Sequence, residues 1–289
     1  MLQARMSAGV ATRQDEIPEI RRISTGDVVD ALRHGLDDFW QHPSHYVFAG
    51  LIYPVVMTVL GFWIAGLNVL PLLYPLASGF ALLGPFVALI FYEISRRQEL
   101  GLDASWKHGF EVFRSPELLS IAAVGLVLGI LFITWLVVAQ MLFVGLFGNA
   151  MPNSISALLN QIFTTDEGRI LMVAGNIIGL LFAVEVLCIS VVTFPLILDR
   201  QVSPSTAVAT SIRATLANPV PVALWGLIVA VSLAVGIATL FIGLVIIMPV
   251  LGHATWHLYR KLIVPQAGRQ ARTRTQQVAA RTRRSPGTI

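Results

Sequence analysis

Ionisable side chains inside long apolar runs are where chemistry would have to occur. Glu185 lies about 15 residues into such a run. A carboxyl there is costly and is a functional candidate by default, as a paired group or as a proton or cation relay. Asp199 returns to nearly the same helical face, with Cys188 and Val192 between them. The competing reading for Glu185 is a neutral carboxyl hydrogen-bonded within a helical bundle. His253 and His257 stand four apart in the last apolar run, so both imidazoles share one helix face. That spacing can chelate one ion, and either ring could be an axial haem ligand. An enclosed zinc would want three or four ligands, and the acidic candidates are Glu93, Asp199 and Glu185. The alternative is packing and interfacial hydrogen bonding. Glu93 and Asp199 sit beside Arg96, Arg97 and Arg200, where local charge pairing competes with a functional role. The chain holds no nucleotide loop, nucleophile elbow or zinc-protease motif. Cys188 is its single cysteine, so it has no intramolecular disulfide and no thiolate cluster.

The elements that must position these groups are transmembrane helices. Of the 289 residues 55% are hydrophobic and 12% charged, against about 25% charged in soluble domains. A spanning helix needs about 20 mostly apolar residues. Six are expected, at 46–67, 70–94, 118–147, 170–198, 220–238 and 241–259. The last two form one apolar block that is too long for a single crossing, and Thr239 marks the turn. Pro54, Pro75, Pro85, Pro195 and Pro249 should kink their spans and free carbonyls to line a cavity. The residues before 23 and after 264 are expected to be disordered tails, polar at 1–22 and basic at 265–289.

Charge sets the orientation. Of the 20 basic residues, 19 lie before the first span, between spans two and three, between spans four and five, or after the sixth, and Arg169 alone lies on the other side. The positive-inside rule then places both termini in the cytoplasm. An isoelectric point near 9.6 would also suit a nucleic-acid binder, but the basic residues are distributed as in a membrane protein. Arg269, Arg272, Arg274, Arg281, Arg283 and Arg284 of the C-terminal tail point to anionic lipid.

Before three of the apolar runs stands a short amphipathic segment ending in a polar residue and proline: 26–41, 103–114 and 204–217. Each begins at a capping signal, Ser24-Thr25 with Asp27, Asp103, or Ser203-Pro204. Their stripes are Val28, Leu32, Leu36 and Phe39; Trp106, Phe110 and Phe113; and Val208, Ile212 and Leu216. Too short to span, they are expected to lie in the cytoplasmic interface. A second pattern supports repetition. Gly84–Arg97 can be laid over Met248–Lys261 without a gap, and Phe194–Arg200 is a shorter relative. The reading is an all-α transmembrane fold, with three repeats of an interfacial helix and a transmembrane hairpin.

From about Ile20 to Ile263 the chain resembles an uncharacterised bacterial family of integral membrane proteins, catalogued as a domain of unknown function. The residues that carry the likeness are GDVVDALRHGLDDFWQHP (Gly26–Pro43), GPFVALIFYEISRRQELGLDASWKHGF (Gly84–Phe110) and the basic end of the sixth span. The resemblance implies a multi-pass inner-membrane protein without established chemistry. Some members carry the label cytochrome c oxidase subunit I. Such a subunit needs many histidine ligands within its spans, and here only His253 and His257 lie within one. The expected function is non-enzymatic, in envelope or membrane homeostasis or in moving a small apolar or lipid-like molecule. No cofactor is expected. The alternative is a haem-, copper- or zinc-associated factor linked to a respiratory oxidase. The expected partners are the bilayer, anionic lipids and other membrane proteins, not nucleic acid.

Overall fold

The computed structural model describes residues 18–41, 70–72, 75–76, 84–149, 152–239 and 242–265. The expected first span, most of the second and the C-terminal tail lie outside these residues. Among them the chain is helical, with an isolated antiparallel bridge between Ile20 and Ile263.

The chain opens with α1 (Thr25–Gln41). A reciprocal capping box starts it: Ser24 N–H donates to Asp27 Oδ2 at 2.8 Å, and Asp27 N–H donates to Ser24 Oγ at 3.2 Å. Helix α2 (Gly84–Glu99) carries Arg96 and Arg97 in its last turn, where cations oppose the helix dipole. The expected interfacial helix 103–114 is shorter than the spacing implies. It resolves into α3 (Trp106–Gly109) and a 3-10 turn (Phe110–Arg114). Helix α4 (Leu118–Phe147) is followed by the short α5 (Ile155–Thr164).

The expected fourth span, 170–198, is not one continuous helix. It is α6 (Asp166–Ser190) and α7 (Thr193–Arg200), broken at Val191–Val192. Pro195 has no N–H to give the Val191 carbonyl and its ring crowds that carbonyl, so the ladder cannot run through unbroken. At the break the Val192 N–H donates to Ser211 Oγ on the next helix at 3.4 Å. Helix α8 (Pro204–Ala217) starts at Ser203, whose hydroxyl accepts from Thr206 N–H, with Pro204 in the first turn. Helices α9 (Pro219–Ala238) and α10 (Leu244–Leu262) complete the chain.

Three stretches among the described residues are long and apolar enough to cross a membrane: Leu118–Phe147, Asp166–Arg200 and Pro219–Ala238. Their outward surfaces remain apolar, as at Leu119, Leu126, Val173, Leu181 and Val220. Helix α10, expected as the sixth span, is not among the three. Its second half is core rather than lipid-facing surface, because His253, Trp256, Tyr259 and Leu262 are buried in the protein. Helices α2, α7 and α10 pack on one another. Phe91, Phe194, Trp256 and Tyr259 are among the largest fully buried side chains there.

The amphipathic segments attach to this centre in a fixed order. Helix α1 lies on α10, α3 on α2, and α8 on α7 and α6. Their buried faces are the small or polar ones: Ala31 and Gly35 in α1, and Thr206, Ala207, Thr210, Ser211 and Ala214 in α8. The bulky stripe is split. Val28 and Phe39 are buried, whereas Leu36, Trp40, Phe110, Phe113, Ile212 and Leu216 are exposed. A side chain at Gly35 would bring Cβ within 2.5 Å of the Ala254 backbone nitrogen, so this glycine lets the two helices touch.

The expected disordered tail 1–22 is corrected at its end. Arg21 N–H donates to Leu262 O at 2.8 Å, and Val264 N–H donates to Glu19 O at 3.0 Å. Asn218 holds the strap: its side chain accepts from Ile23 N–H at 2.8 Å and donates to Arg21 O at 3.0 Å. Asn218 therefore ties distant chain segments together and makes no side-chain cap for α9.

Candidate functional site

Two polar groups lie at the end of the bundle that carries the basic helix termini. The first gathers where α1 crosses α10 beside α2. His257 Nε2 lies 2.9 Å from Asp38 Oδ2. Ser95 Oγ donates to the same oxygen at 2.8 Å and lies 2.7 Å from His253 Nδ1. The proton order follows from the partners. A carboxylate only accepts, so His257 Nε2 carries a proton. Ser95 gives its one proton to Asp38, so His253 Nδ1 donates to Ser95 Oγ. Both ring nitrogens facing Asp38 and Ser95 therefore present N–H groups rather than lone pairs. An ion shared by the histidines would have to displace both protons. Among the described residues no group of three His, Cys, Asp or Glu side chains is placed to hold a metal. Burial pushes the Asp38 carboxyl up. The hydrogen bond from His257, the imidazole charges and the Ser95 hydroxyl outweigh it and hold Asp38 below its ordinary value.

The ladder continues along the crossing. The His34 and His257 rings lie 5.3 Å apart, and Lys261 reaches Asp30 at 2.5 Å and Asp27 at 3.6 Å. The sequence reading found the histidine pair but missed Asp38 and Ser95. The available signal was an acidic stripe, Asp27, Asp30 and Asp38 with His34, at helical spacing on α1.

The second group surrounds a cavity of about 490 Å³ between the ends of α2 and α7 and the 3-10 turn. Glu93 accepts two bonds from Arg96 at 2.7 and 2.8 Å and one from Arg97 at 2.9 Å. Arg97 also bonds Glu111 at 2.8 Å. The bidentate pair with Glu93 raises the Arg96 guanidinium further above its ordinary value, against the effect of burial. Asp199 Oδ2 accepts from Tyr259 Oη at 2.5 Å and Arg260 Nη1 at 3.5 Å.

Glu93 and Asp199, expected at neighbouring span ends, thus line one cavity. The sequence reading named Arg200 as a neighbouring charge but not its burial, and missed Ser115 and Glu117 in the wall. The Arg200 side chain is 6% exposed and Glu117 is 8% exposed. Ser115 Oγ is buried and makes no hydrogen bond among the described residues. Arg200 Nε makes none either but faces Asp199 Oδ2 at 3.7 Å, and Arg200 Nη2 donates to Val264 O. Buried polar atoms are ordinarily bonded, so Ser115 Oγ is the atom of this wall left for a polar ligand.

Glu185 is placed elsewhere. It is exposed on α6 between exposed Val184 and buried Val186. The break at Val191–Val192 interrupts the stripe that would have carried its face on to Asp199. Arg269, Arg272, Arg274, Arg281, Arg283 and Arg284 lie outside the described residues.

Helices of this length and apolar surface, with charged groups gathered at one end, define an all-helical integral membrane protein. Residues 73–199 match a family model described as "Predicted integral membrane protein (DUF2189)". Over that stretch the chain is similar to an uncharacterised multi-pass membrane family. No curated protein and no solved structure matches it.

Proposed function

We propose that this is a non-enzymatic protein of the bacterial cytoplasmic membrane that binds a lipid-like molecule by its polar end and so acts in membrane homeostasis. The observation that carries the reading is the 490 Å³ cavity at the ends of α2 and α7, with the buried Arg200 and the Glu93–Arg96–Arg97 network in its wall. A soluble metabolite could use such a cavity too, but its surroundings favour an amphiphile. The neighbouring 3-10 turn exposes Phe110 and Phe113, and α4 begins beside it with exposed Leu118 and Leu119. Head and chain of a lipid would each find matching surface.

Three further features support the placement. Nineteen of the 20 basic residues fall on one side, which puts both termini in the cytoplasm. The exposed bulky side chains of α1, of the 3-10 turn and of α8 suit three segments lying in the interface. Each amphipathic segment packs on the end of another copy's hairpin, as expected of a triplicated six-span unit whose site lies at a repeat interface.

The test is lipid extraction from protein purified in mild detergent, followed by phosphorus assay and chromatography. About one phospholipid per chain should remain with the wild type and be lost in Arg200→Gln. Equal lipid in the two proteins would refute the reading.

A further inference from the structure

We infer that α5 is a lipid-contact helix seated in the head-group region at the far end of the bundle, and that it holds to the bilayer by apolar insertion alone, without charge. This stands apart from the cavity at the basic end and does not need it.

Helix α4 starts beside the cavity at Leu118, so Phe147 and the segment after it lie at the opposite end. There the chain folds α5 on its way back to α6. At about 15 Å this helix is too short to cross a bilayer. Ser154 starts it by accepting from Ala157 N–H at 3.1 Å. Thr165 fixes the corner: its hydroxyl donates to Gln161 O at 2.7 Å and accepts from Gly168 N–H at 3.0 Å. Gly168 lets the corner close, since a Cβ there would run into the Ile162 carbonyl. Helix α5 is thereby held against the first turn of α6.

The helix has three sides. Leu158 is buried toward the bundle, where α5 packs on α6 and on Leu70–Leu72. Ile155, Leu159 and Phe163 follow one another at four-residue spacing and point outward, with Phe163 65% exposed. Beside that strip, also at four-residue spacing, Ser156, Asn160 and Thr164 are exposed. An apolar and a polar strip side by side, both facing away from the protein, suit a helix lying along a boundary between hydrocarbon and water. The level agrees. On α6 the exposed side chains change from Asp166, Glu167 and Arg169 to Ile170 and Val173 within a turn. Water gives way to hydrocarbon there, next to the contact of Gly168 with Ile162. The apolar strip therefore continues the membrane-facing surface of α6, which is what assigns it to lipid rather than to a protein.

Between Ile155 and Thr164 there is no Asp, Glu, Lys or Arg. Such a helix gains nothing from anionic lipid, and its attachment rests on the apolar area it inserts.

The test places an environment-sensitive dye on the full-length protein in phosphatidylcholine vesicles, at Phe163→Cys or at Ser156→Cys, each combined with Cys188→Ala. A nitroxide on the upper acyl chain of the lipid should quench the dye at 163 more than at 156, and acrylamide in the water should show the reverse order. Replacing phosphatidylcholine by phosphatidylglycerol should leave both results unchanged. Equal acrylamide quenching at the two positions would put the strip in water and overturn the proposal. Protection of 163 from both quenchers would put a second copy or another protein there, and would overturn it too. Quenching at 163 by the nitroxide lipid that grows with phosphatidylglycerol would refute the charge-free attachment. Wild-type protein keeps the proposal testable if the cysteine variants fail to fold. Phosphatidylcholine with a diazirine on its upper acyl chain should label Ile155, Leu159 or Phe163, and labelling confined to α4 and α6 would contradict it.

Discussion

Asp38 is held by groups that the chain brings from far away. His257 is 219 positions along the sequence and Ser95 is 57. The histidine pair was legible because i, i+4 spacing fixes a shared face whatever the fold. Its partners were not, because a crossing of α1 and α10 leaves no local trace. Asp38→Asn removes a carboxylate that accepts from both Ser95 and His257. Losing charged hydrogen bonds in a partly buried place should cost about 1–3 kcal/mol, measured as a lower unfolding midpoint in detergent. The pH dependence has a definite sign. Asp38 titrates below its ordinary value of 3.8 when folded. Its stabilisation is therefore present above pH 3.8 and is lost as pH falls through the lower folded value. A wild-type melting temperature that drops below pH 3.8, with a shallower drop in Asp38→Asn, is the expected result. Parallel curves would remove Asp38 from the explanation. The cavity wall was half legible: Glu93 and Asp199 announce themselves beside arginines, whereas Arg200 reads as a loop charge until its burial is seen.

Helix boundaries were most legible where local chemistry decides them. Serine caps, a first-turn proline and uninterrupted apolar length mark α1, α4 and α8. The break between α6 and α7 was hidden because 170–198 is apolar throughout and the Ser211 hydroxyl that relieves it comes from the next helix. The packing faces of the amphipathic segments were hidden for a related reason. Hydrophobicity marked the large side chains as the face toward the membrane and said nothing of the opposite face, where close helix contact selects small residues. Gly35→Val tests this directly. The new Cβ meets backbone, which cannot swing aside, so the α1–α10 contact must open. A loss at the upper end of the 1–3 kcal/mol range for overpacking is expected in thermal unfolding. Gly129→Ala on α4 is the control, since nothing lies within 4 Å of its added carbon, and it should change stability by no more than about 1 kcal/mol. Similar effects from the two substitutions would refute the close packing of α1 on α10.

At the scale of the whole molecule, composition alone identified an integral membrane protein. The stretches Leu118–Phe147, Asp166–Arg200 and Pro219–Ala238 have the length and apolar character this requires. Orientation follows from charge: alkaline phosphatase fused after either terminus should be inactive, and green fluorescent protein fused there should fluoresce. Phosphatase activity at one end would mean an odd number of crossings and would break the three-hairpin arrangement. The central claim is that the cavity between α2, α7 and the 3-10 turn holds a lipid head. The most direct measurement is photocrosslinking in native membranes with a phospholipid carrying the photoreactive group on its head, followed by peptide mapping. Adducts should concentrate on Ser115–Glu117 and Leu198–Gln201 and vanish in Arg200→Gln. Adducts confined to outward-facing residues such as Leu119 and Leu126, unchanged by that substitution, would contradict the claim.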